Sequence, residues 1–382
     1  MLLLCKSNEG LALRGKELAV ISSPKEIGRD QGAGTIVSVA TALPAYTMSR
    51  EEVKKYMRAV FPVDERRLRA LYAVVDNTRV ETRYSIFPLD YFIEPRPLAQ
   101  LTAEYREHAI RLGRQAACAA LSAAGLQPAD IDLFITVSCT GVMIPSLDAH
   151  LINDMGFRSD VRRLPITELG CAAGAAAMGH AWHFLRGFPQ GRALVVAVEL
   201  PTLTFQRNDL SQANLISCAL FGDGAAAAVI TGEPRPGPRM MGAETYLFPN
   251  SLDAMGFDLR ETGFHIILAR EVPDLIRSHV KQLVGEFLGR HHLRQEDIAA
   301  WVLHPGGQKL LAYVEQELGL TPEQTRPSWD VLRECGNLSS ASVLFVLERW
   351  LSKQQPVPPG SSGLLVGFGP GFSAEMVLLR WN

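Results

Sequence analysis

Three residue types in this 382-residue chain could combine to transfer an acyl group: a thiol, an imidazole and a carboxamide. Cys171 follows Thr167-Glu168-Leu169-Gly170 and opens the stretch CAAGAAAMGHAWHFL, whose composition predicts a helix. A thiol at a helix N-terminus sits in partial positive charge, which lowers its pKa and favours the nucleophilic thiolate. A backbone N–H at the same place can face an oxyanion. The small side chains of Ala172, Ala173 and Gly174 leave room for close approach. His304 ends the run AAWVL and precedes Pro305-Gly306-Gly307. That order places the ring at the C-terminal edge of a strand, where α/β sheets collect ligands. Asn337, in ECGNLSSASVLFVLERWL, precedes a second helical run, where an asparagine is by default a cap or turn residue. Together the three could serve as nucleophile, base and orienting amide. The bland alternatives are a small buried cysteine, a satisfied histidine and a cap. Spacing leaves hydrolase and condensing enzyme both open, although the papain-type C-G-[SA]-C-[WY] signature is absent. His180 and His183 stand three apart on the same helix, but with no HExxH and no third ligand they read as packing residues, and no metal is expected.

These groups need a scaffold. A strand is expected from Thr35 (TIVSVA), and a helix from Ser49, whose Glu52 completes a capping box. An amphipathic helix follows over about 102–125, then a strand Leu133–Ser138, the helix after Cys171, and strands Ala193–Val198 and Ala225–Ile230. The second half repeats the alternation, with helices over 271–289, after Gly307 and over 338–351, and strands Ala299–Leu303, 363–367 and 374–379. Alternating elements of this kind predict an α/β layered fold. LQPADIDLFITVSCTG (126–141) resembles LRQEDIAAWVLHPGG (293–307), and FGDGAAAAVI (221–230) resembles FGPGFSAEMV (368–377). Copies about 150 residues apart indicate a duplicated domain rather than a short-period solenoid. We divide the chain into an extension, 1–33, and halves 34–235 and 236–382, with the site expected where the halves meet.

Composition narrows the function. Lys plus Arg number 38 against 40 Asp plus Glu, a net charge of −2, so no basic face suggests a nucleic-acid partner. The six cysteines form no CxxC pair and are too sparse for a disulfide framework, which points to reduced thiols and a cytoplasmic protein. Leu169–Leu185 is uncharged over 17 residues, short of the roughly 20 a membrane span needs, and is read as a buried core helix. The apolar start of MLLLCKSNEG is too short for a secretory signal.

Five segments taken together, TELGCAAGAA, FGDGAAA, WVLHPGGQKLL, CGNLSSASVLF and GFGPGFSAE, resemble the type III polyketide synthases, the chalcone and stilbene synthase superfamily. The resemblance runs from about Thr35 to the C-terminus. It implies a thiolase-like layered αβαβα fold from two duplicated halves, and a homodimer. It implies Cys171 as acyl carrier, with His304 and Asn337 holding a thioester carbonyl. Malonyl-CoA and an acyl-CoA are the implied substrates, and no cofactor is required. Phe221 and Phe264 match the paired gating phenylalanines, Cys139 and Thr140 the cavity floor, and Ile144 the residue that reaches into the partner's cavity. Arg66, Arg67, Arg69, Gly306, Gly307 and Lys309 are the candidate coenzyme A contacts. GCAAGAA stands where plant members have GCFAGGT, and the segment between Arg260 and Phe264 is short. VETRYSIFPLDYFIEPRPLAQ resembles bacterial synthases that make alkylpyrones and alkylresorcinols, and the small residues Ser217, Ala219 and Gly256 suit a chain-holding cavity. The expected reaction is therefore iterative extension of a medium or long acyl starter on Cys171, then closure to an alkylpyrone or alkylresorcinol. The runner-up is a malonyl-primed tetrahydroxynaphthalene synthase; outside the class stands a Cys-His-Asn thioesterase.

Overall fold

The computed structural model describes residues 33–352 and 356–382. Apart from Ala33, the extension read over 1–33 lies outside the described residues. The first expected helix start is built as the sequence indicates. Ser49 Oγ accepts the Glu52 N–H at 3.3 Å, Glu52 accepts the Ser49 N–H at 2.7 Å, and the helix Arg50–Val60 follows. The long helix runs Leu98–Ala124, starting a turn earlier than its amphipathic pattern, directly after Pro97. It stops where Gly125 turns left-handed at φ +66°.

Nine strands make one sheet, in the spatial order Ile298–Leu303, Ser362–Gly369, Ser373–Trp381, Pro238–Leu247, Thr35–Ala42, Gly224–Thr231, Arg192–Glu199, Leu133–Val137, Arg162–Ile166. The pairing repeats about the centre. Leu133–Val137 runs parallel to Arg192–Glu199, as Ile298–Leu303 does to Ser362–Gly369, and in each half the next two pairings are antiparallel. The two motif pairs seen in the sequence thus occupy equivalent places in the two halves.

The helix Ala173–Gly187 packs against strands of both halves, with Ser342–Leu351 beside it. Period-two alternation supplies the faces. Ala193, Val195 and Ala197 join the central cluster around these helices, while Leu194, Val196 and Val198 face the outer helices Leu98–Ala124 and Leu147–Met155. On the far side Trp301, Leu303 and Leu364 pack under the helices Val272–Arg290 and Gln308–Leu318. Among the described residues the two halves of the sheet join only at the strand pair Thr35–Arg239. The order is therefore helix, half-sheet, helix, half-sheet, helix, the layered thiolase-like αβαβα arrangement. A helix enclosed by two sheet halves must be small and uncharged, which accounts for Leu169–Leu185. Among the described residues no helix is long and apolar enough to cross a membrane.

Candidate active site

A one-turn 3-10 segment, Gly170–Ala172, delivers Cys171 to the start of the helix Ala173–Gly187. Gly170 has φ +48°, and a Cβ there would lie 2.5 Å from Pro370 of the GFGPG loop. A Cβ at Gly174 would come within 2.1 Å of the Ser340 carbonyl oxygen. The Gly/Ala run therefore lets the nucleophile turn dock directly on the two loops that flank it. Cys171 is buried, and its Sγ lies 3.4 Å from Ser339 Oγ. Ser339, a non-glycine residue, lies in the left-handed region at φ +48°, strain that a densely bonded loop sustains.

Asn337 anchors that loop. Its Oδ1 accepts the Ser339 N–H at 2.8 Å and the Ser342 hydroxyl at 3.2 Å. Because Leu338 N–H donates to Ser342 Oγ at 2.7 Å, the Ser342 proton is directed at Asn337, which settles which way the amide faces. Its Nδ2 then points towards the His304 turn, 3.4 Å from the Gly306 carbonyl, and also supports the Cys171 sulfur. His304 leaves the end of its strand as expected, with its N–H on Val366 O at 2.9 Å. Its ring is buried and lies against Gly306, where a Cβ would stand 3.2 Å from Cδ2. Nδ1 meets no hydrogen-bond partner among the described residues. An orphan N–H is the costlier vacancy, so the proton belongs on Nε2. The site therefore offers two neutral donors, imidazole and amide, beside one thiol.

The electrostatics reverse one expectation. Burial pushes the Cys171 thiol up to about 12, with the Ser339 hydrogen bond pulling down and nearby Glu199 adding to the rise. Burial likewise lowers His304 to about 3. Desolvation outweighs the helix terminus, and the pair stands as thiol and neutral imidazole rather than as an ion pair.

Glu199, which the sequence reading overlooked, organises the floor. Cys139 N–H donates to it at 3.1 Å, Thr140 Oγ1 at 2.8 Å, and the Ser340 hydroxyl also donates to it. Cys139 Sγ, like Cys171 Sγ, stands 3.4 Å from Ser339 Oγ, so the predicted floor residues do adjoin the nucleophile. Burial raises Glu199 to about 7, although the Ser340 and Thr140 hydroxyls oppose the shift. A carboxyl raised in the fold keeps its proton while the unfolded chain, near 4.5, has lost it. Its contribution is full below about 4.5 and is lost as pH rises through about 7. Glu199→Gln removes that loss. Melting curves should show the variant gaining on the wild type between pH 5 and pH 8, by up to about 3 kcal/mol. An unchanged difference would mean that Glu199 is not buried as a neutral acid.

The other predicted residues divide into groups. Phe221 pairs by backbone with Asn337 and, with Ser217, Arg83 and Cys218, lines a small cavity of about 50 Å³. Phe92, Thr202 and Phe205 are shared between that cavity and a larger cleft of about 890 Å³. Phe264 and Gly256 lie on the hairpin Met255–Arg260/Gly263–Leu268 that flanks this cleft, and the short Arg260–Phe264 segment is its two-residue turn. Ala219 does not fit its expected place: it is buried among Met57, Leu68 and Leu71 of the neighbouring helices and lines neither cavity. Ile144 is 89% exposed on its loop. Arg66, Arg67 and Arg69 are exposed on the helix Glu65–Asn77, Lys309 is exposed on the first turn of Gln308–Leu318, and Gly307 caps that turn.

Comparison with known proteins decides the family. Residues 22–234 match the N-terminal domain of chalcone and stilbene synthases, and residues 239–381 match the C-terminal domain. The chain belongs to this family, the type III polyketide synthases. It is 39% identical over 360 residues to 1,3,6,8-tetrahydroxynaphthalene synthase from Streptomyces peucetius subsp. caesius, covering 92% of this chain and 94% of that one. It is 32% identical to phloroglucinol synthase from Pseudomonas fluorescens (strain Pf-5), covering 89% and 97%. The crystal structure of 1,3,6,8-tetrahydroxynaphthalene synthase from Streptomyces coelicolor A3(2) aligns with TM-score 0.87 at 36% identity, over 91% of this chain and 99% of that one. Type III polyketide synthases perform Claisen-type condensations on coenzyme A thioesters, and this chain is such an acyltransferase.

Proposed function

We propose that this synthase primes itself with malonyl-CoA and builds a polyhydroxylated aromatic of the tetrahydroxynaphthalene type, in place of the alkylpyrone or alkylresorcinol expected from the sequence. The observation that carries the reading is the lining near the nucleophile. Cys139, Thr140, Ser339, Ser340 and Glu199 make a polar floor beside Cys171. The larger cleft is mixed, with Arg96, Arg207, Asp209 and His265 set among Phe92, Leu98, Leu203, Phe205 and Ile266. A long alkyl chain gains about 0.8 kcal/mol per methylene only where apolar walls receive it. Ala219 lines no such tunnel, and Ser217 opens onto too little space for one. Two relatives at 39% and 37% identity are named for the naphthalene product, which supports the same reading.

In this account Cys171 attacks the thioester carbonyl while His304 accepts its proton and passes it to the departing coenzyme A thiol. The next malonyl-CoA places its thioester oxygen on His304 Nε2–H and Asn337 Nδ2–H. Carbon dioxide leaves, the enolate oxygen rests on those donors, and its carbon attacks the Cys171 thioester. This expels the Cys171 thiolate and leaves the lengthened chain on coenzyme A, from which it reloads onto Cys171 for the next cycle. Each such donor contributes about 3 kcal/mol to a developing oxyanion. Coenzyme A thioesters are substrates, and the scheme requires no resident cofactor. Arg66, Arg67, Arg69 and Lys309 supply positive charge for the coenzyme A phosphates. The test is product mass spectrometry with malonyl-CoA alone and with a panel of short to long acyl-CoAs. An aromatic product from malonyl-CoA alone, formed faster than any acyl-primed product, is expected. Higher efficiency with a long acyl-CoA, with malonyl-CoA alone giving only decarboxylation, would overturn the starter assignment.

The active assembly is proposed to be a homodimer. Ile144 at 89% and Val142 at 54% exposure are apolar side chains on the loop that follows Cys139 and Thr140, and a partner surface would bury them. Sedimentation should give twice the 41.9 kDa chain mass, and Ile144→Asp should weaken both assembly and product formation. A fully active monomer contradicts the proposal.

A further inference from the structure

The larger cleft holds a second group of proton-bearing side chains that the condensation scheme does not use. The two-residue hairpin turn at Glu261-Thr262 brings Thr262 back over His265, with Thr262 Oγ1 2.7 Å from His265 Nε2. On the other side of the ring, Nδ1 is buried, makes no hydrogen bond among the described residues, and lies 3.9 Å from Asp209 Oδ2. Asp209 is itself held: its Oδ1 accepts the Ser211 N–H at 2.8 Å and its carbonyl accepts Asn214 Nδ2 at 2.7 Å. The carboxylate beside Nδ1 selects the tautomer with its proton there, which leaves Nε2 to accept the Thr262 hydroxyl. Gln206 fixes the two parts to each other, its Nε2 donating to Phe264 O at 3.1 Å and Thr262 O at 3.3 Å. Thr262, His265 and Asp209 all line the 890 Å³ cleft, where Arg96, Arg207 and Arg260 stand among the acidic Glu94, Asp253 and Glu261.

Hydroxyl, imidazole and carboxylate in this order form a proton relay. We propose that Thr262, His265 and Asp209 are a second proton-transfer site, acting on the extended poly-β-keto chain when it closes by a carbon–carbon bond. Through the Thr262 hydroxyl, His265 takes a proton from a methylene flanked by two carbonyls. The enolate carbon attacks a carbonyl carbon of the same chain, the C=O becomes an alkoxide, and the proton returns to that oxygen. Asp209 steadies the imidazolium in between. No oxidant or reductant enters. The inference rests on the aromatic, malonyl-primed reading above, because a lactone-forming enzyme would have no such closure to assist.

The experiment measures, per coenzyme A released from malonyl-CoA, the fraction of chains ending in a carbon–carbon-closed ring and the fraction ending as lactones. The wild type is read first: lactones alone would overturn the aromatic reading and this inference together. Given an aromatic wild-type product, His265→Gln and Thr262→Val should each lower the ring-closed fraction at least fivefold, with lactones rising to match. Asp209→Asn should shift the ratio the same way, and Asp209→Glu should recover part of it. Thr262→Val, at an exposed position, keeps the test open if His265→Gln folds poorly. An unchanged ratio in the variants, or a fall in all products at constant ratio, would overturn the relay while leaving the product assignment intact.

Discussion

Cys171→Ala is expected to reduce product formation by at least about 10⁴-fold, the scale of losing a covalent nucleophile. The sulfur lies at the start of a helix that packs between two sheet halves, and the Ser339 hydroxyl is its hydrogen-bond partner. Trading it for a methyl group removes the acyl carrier and leaves the donors on His304 and Asn337 in place. The melting temperature should therefore move little while turnover disappears. Cys171→Gln goes further: a side chain that cannot carry an acyl group should retain malonyl-CoA decarboxylation, because the enolate needs the donors and not the thiol. Separate assays of carbon dioxide and of polyketide resolve the two steps. Product from Cys171→Ala at a tenth of the wild-type rate would remove the residue from the mechanism.

The donor pair carries the second large effect. Asn337→Asp keeps the oxygen that holds Ser339 N–H and Ser342, so the loop should stay folded, but it removes the amide protons and places an acid where negative charge develops. Decarboxylation should fall by about 10²–10³-fold, the scale of one oxyanion donor. His304→Ala should cost a similar factor in decarboxylation. His304→Gln, which restores an N–H donor but no base, should recover decarboxylation more than condensation. Equal recovery of both steps would mean that His304 does not accept the Cys171 proton.

How much of this could be read from the residue string depends on whether the cause is local. The capping box at Ser49 and Glu52 is complete within four residues, and the structure builds it as written. The enclosed helix announced itself by lacking charge. The strand Pro238–Leu247 did not, because it opens on proline and carries Gly242, both of which argue against a central strand. The helix Pro322–Cys335 was hidden by Pro327 in its interior. Glu199 is the lone charge closing the strand RALVVAVE, a signal that could have been used, since a buried carboxylate must find partners. Those partners, Thr140 and Ser340, lie 59 and 141 positions away. Thr262 and His265 meet Asp209 across more than fifty residues, with no motif to mark them. The Cys171 thiol moved opposite to expectation for the same reason. Helix-terminus charge is local and visible in sequence, whereas the burial that outweighs it comes from the whole fold.

The most direct measurement is to quench the wild-type enzyme during turnover on malonyl-CoA alone, digest it and read the acyl adducts on each cysteine peptide by mass spectrometry. A ladder of adducts is expected on the peptide containing Cys171, each heavier than the last by one two-carbon ketide unit, with no ladder in Cys171→Ala. Aromatic product accumulating with no adduct on Cys171, or with the ladder on the Cys139 peptide instead, would contradict it.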